Sequence, residues 1–124
     1  MTDPSQMTPE EITRAYAVEV CGLQVNAPTK LLPFESYTLP RGRILTGAFN
    51  PLGSDSDCFL GVDAMVARGY IFHLHVWPDV HLKRNPTWRC EFAKSFPTRR
   101  SIEHSPDRRR AIMVAGIKAA RSEK

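Results

Sequence analysis

From Ser54 to Phe96 the sequence reads, in order, as an acid-capped helix, a glycine stop, an alternating strand, a turn and a second strand. That order commits the chain to helices laid against an antiparallel sheet. Ser54-Asp55-Ser56-Asp57 offers N-caps and places acids in a first helical turn, where they complement the helix dipole. Phe59, Val62, Met65 and Val66 follow at helical spacing, and Arg68-Gly69 supplies a basic last turn with a left-handed stop. From Tyr70 to Trp77 the period changes to two. Tyr70, Phe72, Leu74 and Val76 fall on one side, and Ile71, His73, His75 and Trp77 on the other. Beyond a turn region at 78–86, Trp88, Cys90 and Phe92 alternate with Arg89, Glu91 and Ala93. The two runs are expected to pair as a hairpin that puts Arg89 on the same side as His73 and His75.

Upstream, Thr8-Pro9-Glu10-Glu11 predicts a helix start with a capping box, Ile12, Tyr16 and Val20 share one face, and Gly22 ends the helix. Residues 1–7 are expected to be a flexible leader. Pro28, Pro33, Pro40 and Pro51, with glycines at 42, 47 and 53, predict a proline-rich loop at 27–53 in which only Arg43 to Phe49 suits a short strand. Phe34, Tyr37, Arg41 and Arg43 make that loop a candidate ligand flap, beside the plainer reading of a partly packed surface loop. Downstream, 96–104 reads as a link. Ser105-Pro106-Asp107 reads as a helix start with Ser105 as the cap, followed by Ile112, Ala115, Ile117 and Ala119 or Ala120 against the sheet. A chain of 124 residues supports one core that buries roughly 65% of the unfolded surface. The expectation is a single α+β domain at 8–124, with a short antiparallel sheet of two or three strands covered by three helices.

Charge separates along the chain. Residues 1–82 carry five Lys/Arg against nine Asp/Glu, and residues 83–124 carry twelve against four, so a net +4 divides into −4 and +8. A basic last third points to an anionic partner, such as a nucleotide, a nucleic acid or an acidic protein face, or else to a solvated basic helix. Arg108, Arg109 and Arg110 fall in the first turn of the last helix, where the positive dipole end disfavours cations unless solvent or an anion offsets them. Nucleotide recognition needs cations for phosphate and flat groups for a base. The residues of those types are Arg89, Arg99, Arg100, Arg108, Arg109, Arg110 and Arg43 with His73 and His75, and Trp77, Phe34 and Tyr37.

Catalytic signatures are missing from the sequence: G-x-S-x-G, the P-loop and H-E-x-x-H do not occur. Cys21, Cys58 and Cys90 stand singly and read as reduced packing thiols. His73 and His75, with Asp79 and His81 nearby, make a two-imidazole pattern without a fixed third ligand, so neither a metal nor a cofactor is expected and the chain reads as a non-enzyme. The start lacks a basic-then-apolar leader and no run approaches the ~18 apolar residues of a membrane span, which predicts a cytoplasmic protein. Two short strands leave open sheet edges, so a homodimer or higher symmetric assembly is expected.

The pieces M-T-P-E-E-I, G-V-D-A-M-V-A-R-G-Y-I-F-H-L, P-T-W-R-C-E-F-A and R-R-R-A-I-M-V-A-G-I-K-A-A, taken in this order, resemble the phage ABA sandwich domain family over residues 8–22 and 50–121. The resemblance implies helices over a short antiparallel sheet and a phage accessory protein. It further implies an anti-defence role, sequestering a cyclic nucleotide or cyclic ADP-ribose type immune signal without catalysis, as anti-Thoeris and anti-CBASS sponges do. No ligand site is transferred by it. The alternative is a protein- or nucleic-acid-binding inhibitor of a host defence effector, although no helix-turn-helix, RNP-like strand or zinc finger supports sequence-specific recognition.

Overall fold

A computed structural model describes residues 3–31, 33, 35–38, 49–77, 87–95 and 98–123, with the Trp77 side chain outside that description. The chain is α+β. Helix α1 (Pro9–Ala15) starts as its sequence requires: the Glu11 amide donates to Thr8 Oγ1 at 3.2 Å and the Thr8 amide to Glu11 Oε1 at 3.1 Å, a reciprocal capping box. The helix then widens into a π-helical turn, Tyr16–Val20, in which the Cys21 amide reaches back to the Tyr16 carbonyl at 3.0 Å. Widening keeps Tyr16, Ala17 and Val20 all buried. The open carbonyls of Glu19 and Val20 at its end accept from Arg68 Nη2 at 3.2 and 2.8 Å.

Helix α2 (Asp55–Ala67) is capped by Ser54, whose Oγ accepts from the Asp57 amide at 3.3 Å. It stops at Gly69, whose φ of 98° lets the Tyr70 amide reach Met65 O and the Gly69 amide reach Val66 O, completing a Schellman motif. Cys58, Gly61, Val62 and Met65 form its buried stripe. Met65 is core as expected, whereas Phe59 lies at the margin and packs edge-on against Phe72.

Strands β1 (Gln24–Asn26) and β2 (Ser36–Thr38) make a small antiparallel pair, with β2 inside the segment expected to be loop and β1 just before it. The short strand considered at Arg43–Phe49 lies almost wholly outside the described residues. The main sheet runs β3 (Ile71–Trp77), β4 (Thr87–Ser95), β5 (Thr98–Ser105), antiparallel throughout. The predicted hairpin is present, with Phe72 opposite Phe92 and His75 opposite Arg89. The predicted link at 96–104 is instead mostly β5. Its helix-facing positions Arg99, Ser101, Glu103 and Ser105 are polar, so no hydrophobic alternation marked it. Burial is tolerated there because Ser101 Oγ donates to the Ala115 carbonyl at 2.7 Å and Glu103 pairs with Lys118 at 3.1 Å.

Helix α3 (Arg108–Ser122) crosses the inner face of β4 and β5 and is itself covered by the π-turn and α2, so every residue from Ala111 to Ile117 is buried. Its cap is Asp107, not Ser105: the Asp107 carboxylate accepts from the Arg109 and Arg110 amides, while Ser105 ends β5. Asp107 competes better because its carboxylate also answers the helix dipole. Residues 3–7 are not a free leader. They form a short turn with Pro4 and Met7 buried, pinned by Arg110 to the carbonyls of Ser5 at 3.0 Å and Met7 at 3.3 Å.

Candidate functional site

All three helices lie on the side of the sheet that carries Phe72, Leu74, Cys90, Phe92 and Ser101. The other side is covered by no element among the described residues. Strand register assigns its occupants in cross-strand rows. His75 lies opposite Arg89, and Arg89 opposite His104. Beside that row, His73 faces Glu91 and Glu91 faces Ile102; next comes Ile71, Ala93 and Arg100. Directly opposed side chains in such a ladder stand roughly 5 Å apart at Cβ, close enough for one ligand group to touch two strands.

The His73 and His75 rings stack nearly parallel, with centroids 6.0 Å apart and planes 9° off. Glu91 accepts from Arg100 Nε at 2.6 Å and from Arg89 Nη2 at 3.1 Å, fixing both guanidinium groups toward the same face. The hydrogen bond from Arg100, reinforced by the charges of Arg100 and Arg89, holds the Glu91 carboxyl below its ordinary range. Two guanidinium groups against one carboxylate leave the face cationic before any imidazole is protonated. Arg100 is well exposed, with 62% of its side chain open to solvent, whereas Arg89 is mostly packed in.

Arg99, Arg108, Arg109 and Arg110 are elsewhere, and each has a partner within the chain. Arg99 is on the helix side of β5 and donates to the Ser122 carbonyl at the end of α3. Arg108 Nη2 and Arg109 Nε share Asp55 Oδ1 at 2.6 and 2.9 Å, Arg108 also lies 5.7 Å from the centroid of the Trp88 ring, and Arg109 reaches the Leu52 carbonyl. Arg110 holds the N-terminal turn. The anion that offsets Arg108 and Arg109 is therefore the protein's own Asp55, drawn from the first turn of α2, while Arg110 is met by backbone carbonyls. Arg109's hydrogen bond is the main cause that keeps the Asp55 carboxyl below the usual range. Among the described residues the candidate arginines do not gather in one place. His73, His75, Arg89 and Arg100 are brought together; Arg99, Arg108, Arg109 and Arg110 are not. Phe34 and Arg43 lie outside the described residues, and Trp77 contributes its backbone to β3 opposite Thr87.

Sequence reasoning missed His104 and Glu91. The period-two spacing of Arg100, Ile102 and His104 was the available signal, obscured because the opposite set is polar as well.

Two grooves flank α1. One of about 550 Å³ is lined by Glu10, Glu11, Arg14, Glu35, Tyr37 and Leu52, and one of about 600 Å³ by Met7, Val18, Glu19, Leu23, Val25 and Arg121 among others. The first has three carboxylates to one arginine, which opposes a phosphate, and in the second Glu11 and Glu19 balance Arg14 and Arg121. Cys58 and Cys90 are fully buried, and burial pushes the Cys58 thiol up to about 12 and the Cys90 thiol up as well, which removes the thiolate a nucleophile needs. Among the described residues no group of three His, Cys, Asp or Glu is placed to hold a metal, and no helix is long and apolar enough to cross a membrane. No protein-family model, curated protein or solved structure matches the chain.

Proposed function

We propose that this chain binds a phosphate-bearing, nucleotide-derived ligand on the open face of β3, β4 and β5 and holds it without transforming it. The observation that supports this reading is the cross-strand row His75, Arg89, His104, flanked by His73 and Arg100, on a sheet face left uncovered by the helices. Guanidinium groups already oriented by Glu91 lose little freedom on meeting a phosphate, and stacked imidazoles offer a flat surface to a base. The packed thiols and the lack of a nucleophile-base pair in the described site favour binding over chemistry. Sequestration of a cyclic nucleotide or cyclic ADP-ribose type signal by a phage-encoded protein in the host cytoplasm is the biological role we attach to it, on the strength of the ABA sandwich resemblance.

A second reading, an inhibitor that binds a nucleic-acid strand, is favoured by a face that no described element covers, since small ligands are usually enclosed. Calorimetric titration with cyclic nucleotides, ADP-ribose derivatives and a single-stranded oligonucleotide, each at two salt concentrations, separates the two. Sequestration requires a small ligand that binds with modest salt dependence and is recovered chemically intact. Strand binding requires an affinity that falls steeply with salt. Heat from none of the three classes rejects both.

A further inference from the structure

The two edges of the main sheet differ in a way that points to a second copy of this chain. Edge strands of stable proteins carry charge or proline that blocks pairing with another strand. β5 meets that requirement with Arg99, Arg100 and Glu103. β3, Ile-Phe-His-Leu-His-Val-Trp, has no Asp, Glu, Lys, Arg, Pro or Gly in seven residues, pairs only with β4 among the described strands, and leaves Ile71 at 58% and Val76 at 42% exposure.

The same strand is chemically palindromic about Leu74. His73 mirrors His75, Phe72 mirrors Val76, and Ile71 mirrors Trp77. A two-fold interface needs this property, because each residue must suit the residue that faces it after the rotation. We infer that β3 pairs antiparallel with the partner subunit's β3 about a two-fold axis at Leu74, forming a continuous six-stranded sheet with all helices on one side. Leu74 then meets the partner's Leu74, Phe72 meets the partner's Val76, and His73 meets the partner's His75. Two stacked imidazole pairs become one group of four at the centre of the open face. This inference does not depend on the ligand proposal, since no phosphate contact enters it.

Sedimentation of the intact chain at micromolar concentration should return twice the 14.0 kDa chain mass. Histidines 73 and 75 are exposed, and their β4 neighbours are Glu91 and Arg89. His73→Lys with His75→Lys sets lysine against lysine across the axis and should give monomers. His73→Lys with His75→Glu sets lysine against glutamate, matches Glu91 and Arg89 within the chain, and should restore the dimer. Should the double-lysine variant fail to fold, hydrogen exchange on the wild-type chain decides: β3 amides must gain protection with rising concentration while β5 amides do not. A wild-type monomer, a double-lysine dimer, a folded lysine-glutamate monomer, or concentration-independent β3 exchange overturns the inference.

Discussion

The phenol of Tyr16 occupies the space left by the missing side chain of Gly61: a Cβ at position 61 would lie 2.1 Å from Tyr16 Oη. The hydroxyl donates to the Cys58 carbonyl one turn earlier on α2, and the ring also rests against Gly116 on α3. One side chain from the widened turn after α1 thus locks both other helices.

Gly61→Ala should therefore destabilise the fold by about 1–3 kcal/mol, because overpacking against a ring outweighs the helix-propensity gain of roughly 1 kcal/mol. Combining it with Tyr16→Phe, which removes the nearest atom, should cost less than the sum of the two single changes. A double-mutant cycle from urea denaturation checks this; strict additivity contradicts the packing described.

Gly69→Ala forces an alanine into a φ of 98°, and the Schellman stop should weaken by about 1 kcal/mol. The hydrogen exchange of the Tyr70 amide, bonded to Met65 O, should rise with it.

These helix ends were legible in the sequence because caps and stops are local chemistry: Thr8 with Glu11, Ser54 with Asp57, and Gly69 all act within a few residues. The β3 and β4 pairing was legible because apolar residues occupy one side of each strand. β5 was not, since Arg99, Ser101, Glu103 and Ser105 face α3 and find their partners only in three dimensions. The Arg108 to Arg110 cluster read as an anion site for a related reason. The counter-ion of Arg108 and Arg109, Asp55, is 53 residues from Arg108 in sequence and adjacent in space. The widened turn at Tyr16–Val20 follows from packing around Tyr16 and has no local signature.

Asp55→Asn should reveal that clamp through pH. A carboxyl whose folded-state pKa is depressed contributes stability that is present above its unfolded value and lost as pH falls through the folded one. The denaturation midpoint of the variant should therefore lie below that of the wild type at neutral pH, and the gap should close as pH drops below about 4. A gap independent of pH would mean that Asp55 acts through packing alone.

Thiol reactivity gives an independent check on the core. Burial raises the Cys21 and Cys58 thiols to about 12 and pushes Cys90 up too, so a disulfide reagent at mildly alkaline pH should label the native chain slowly at all three and the denatured chain at once. Fast labelling of native Cys58 or Cys90 contradicts the packing.

The central claim, that the uncovered sheet face grips phosphate, is tested most directly by calorimetric titration of wild-type, Arg89→Gln and Arg14→Gln chains with the tightest-binding member of the cyclic nucleotide and ADP-ribose panel. Arg89 is in the middle of the cross-strand row, whereas Arg14 lies on α1 with 62% of its side chain exposed. Losing a charge-assisted contact should weaken binding by roughly 10- to 100-fold in Arg89→Gln and leave Arg14→Gln at the wild-type value. Equal affinity in all three chains, or no binding by the wild type, contradicts the claim.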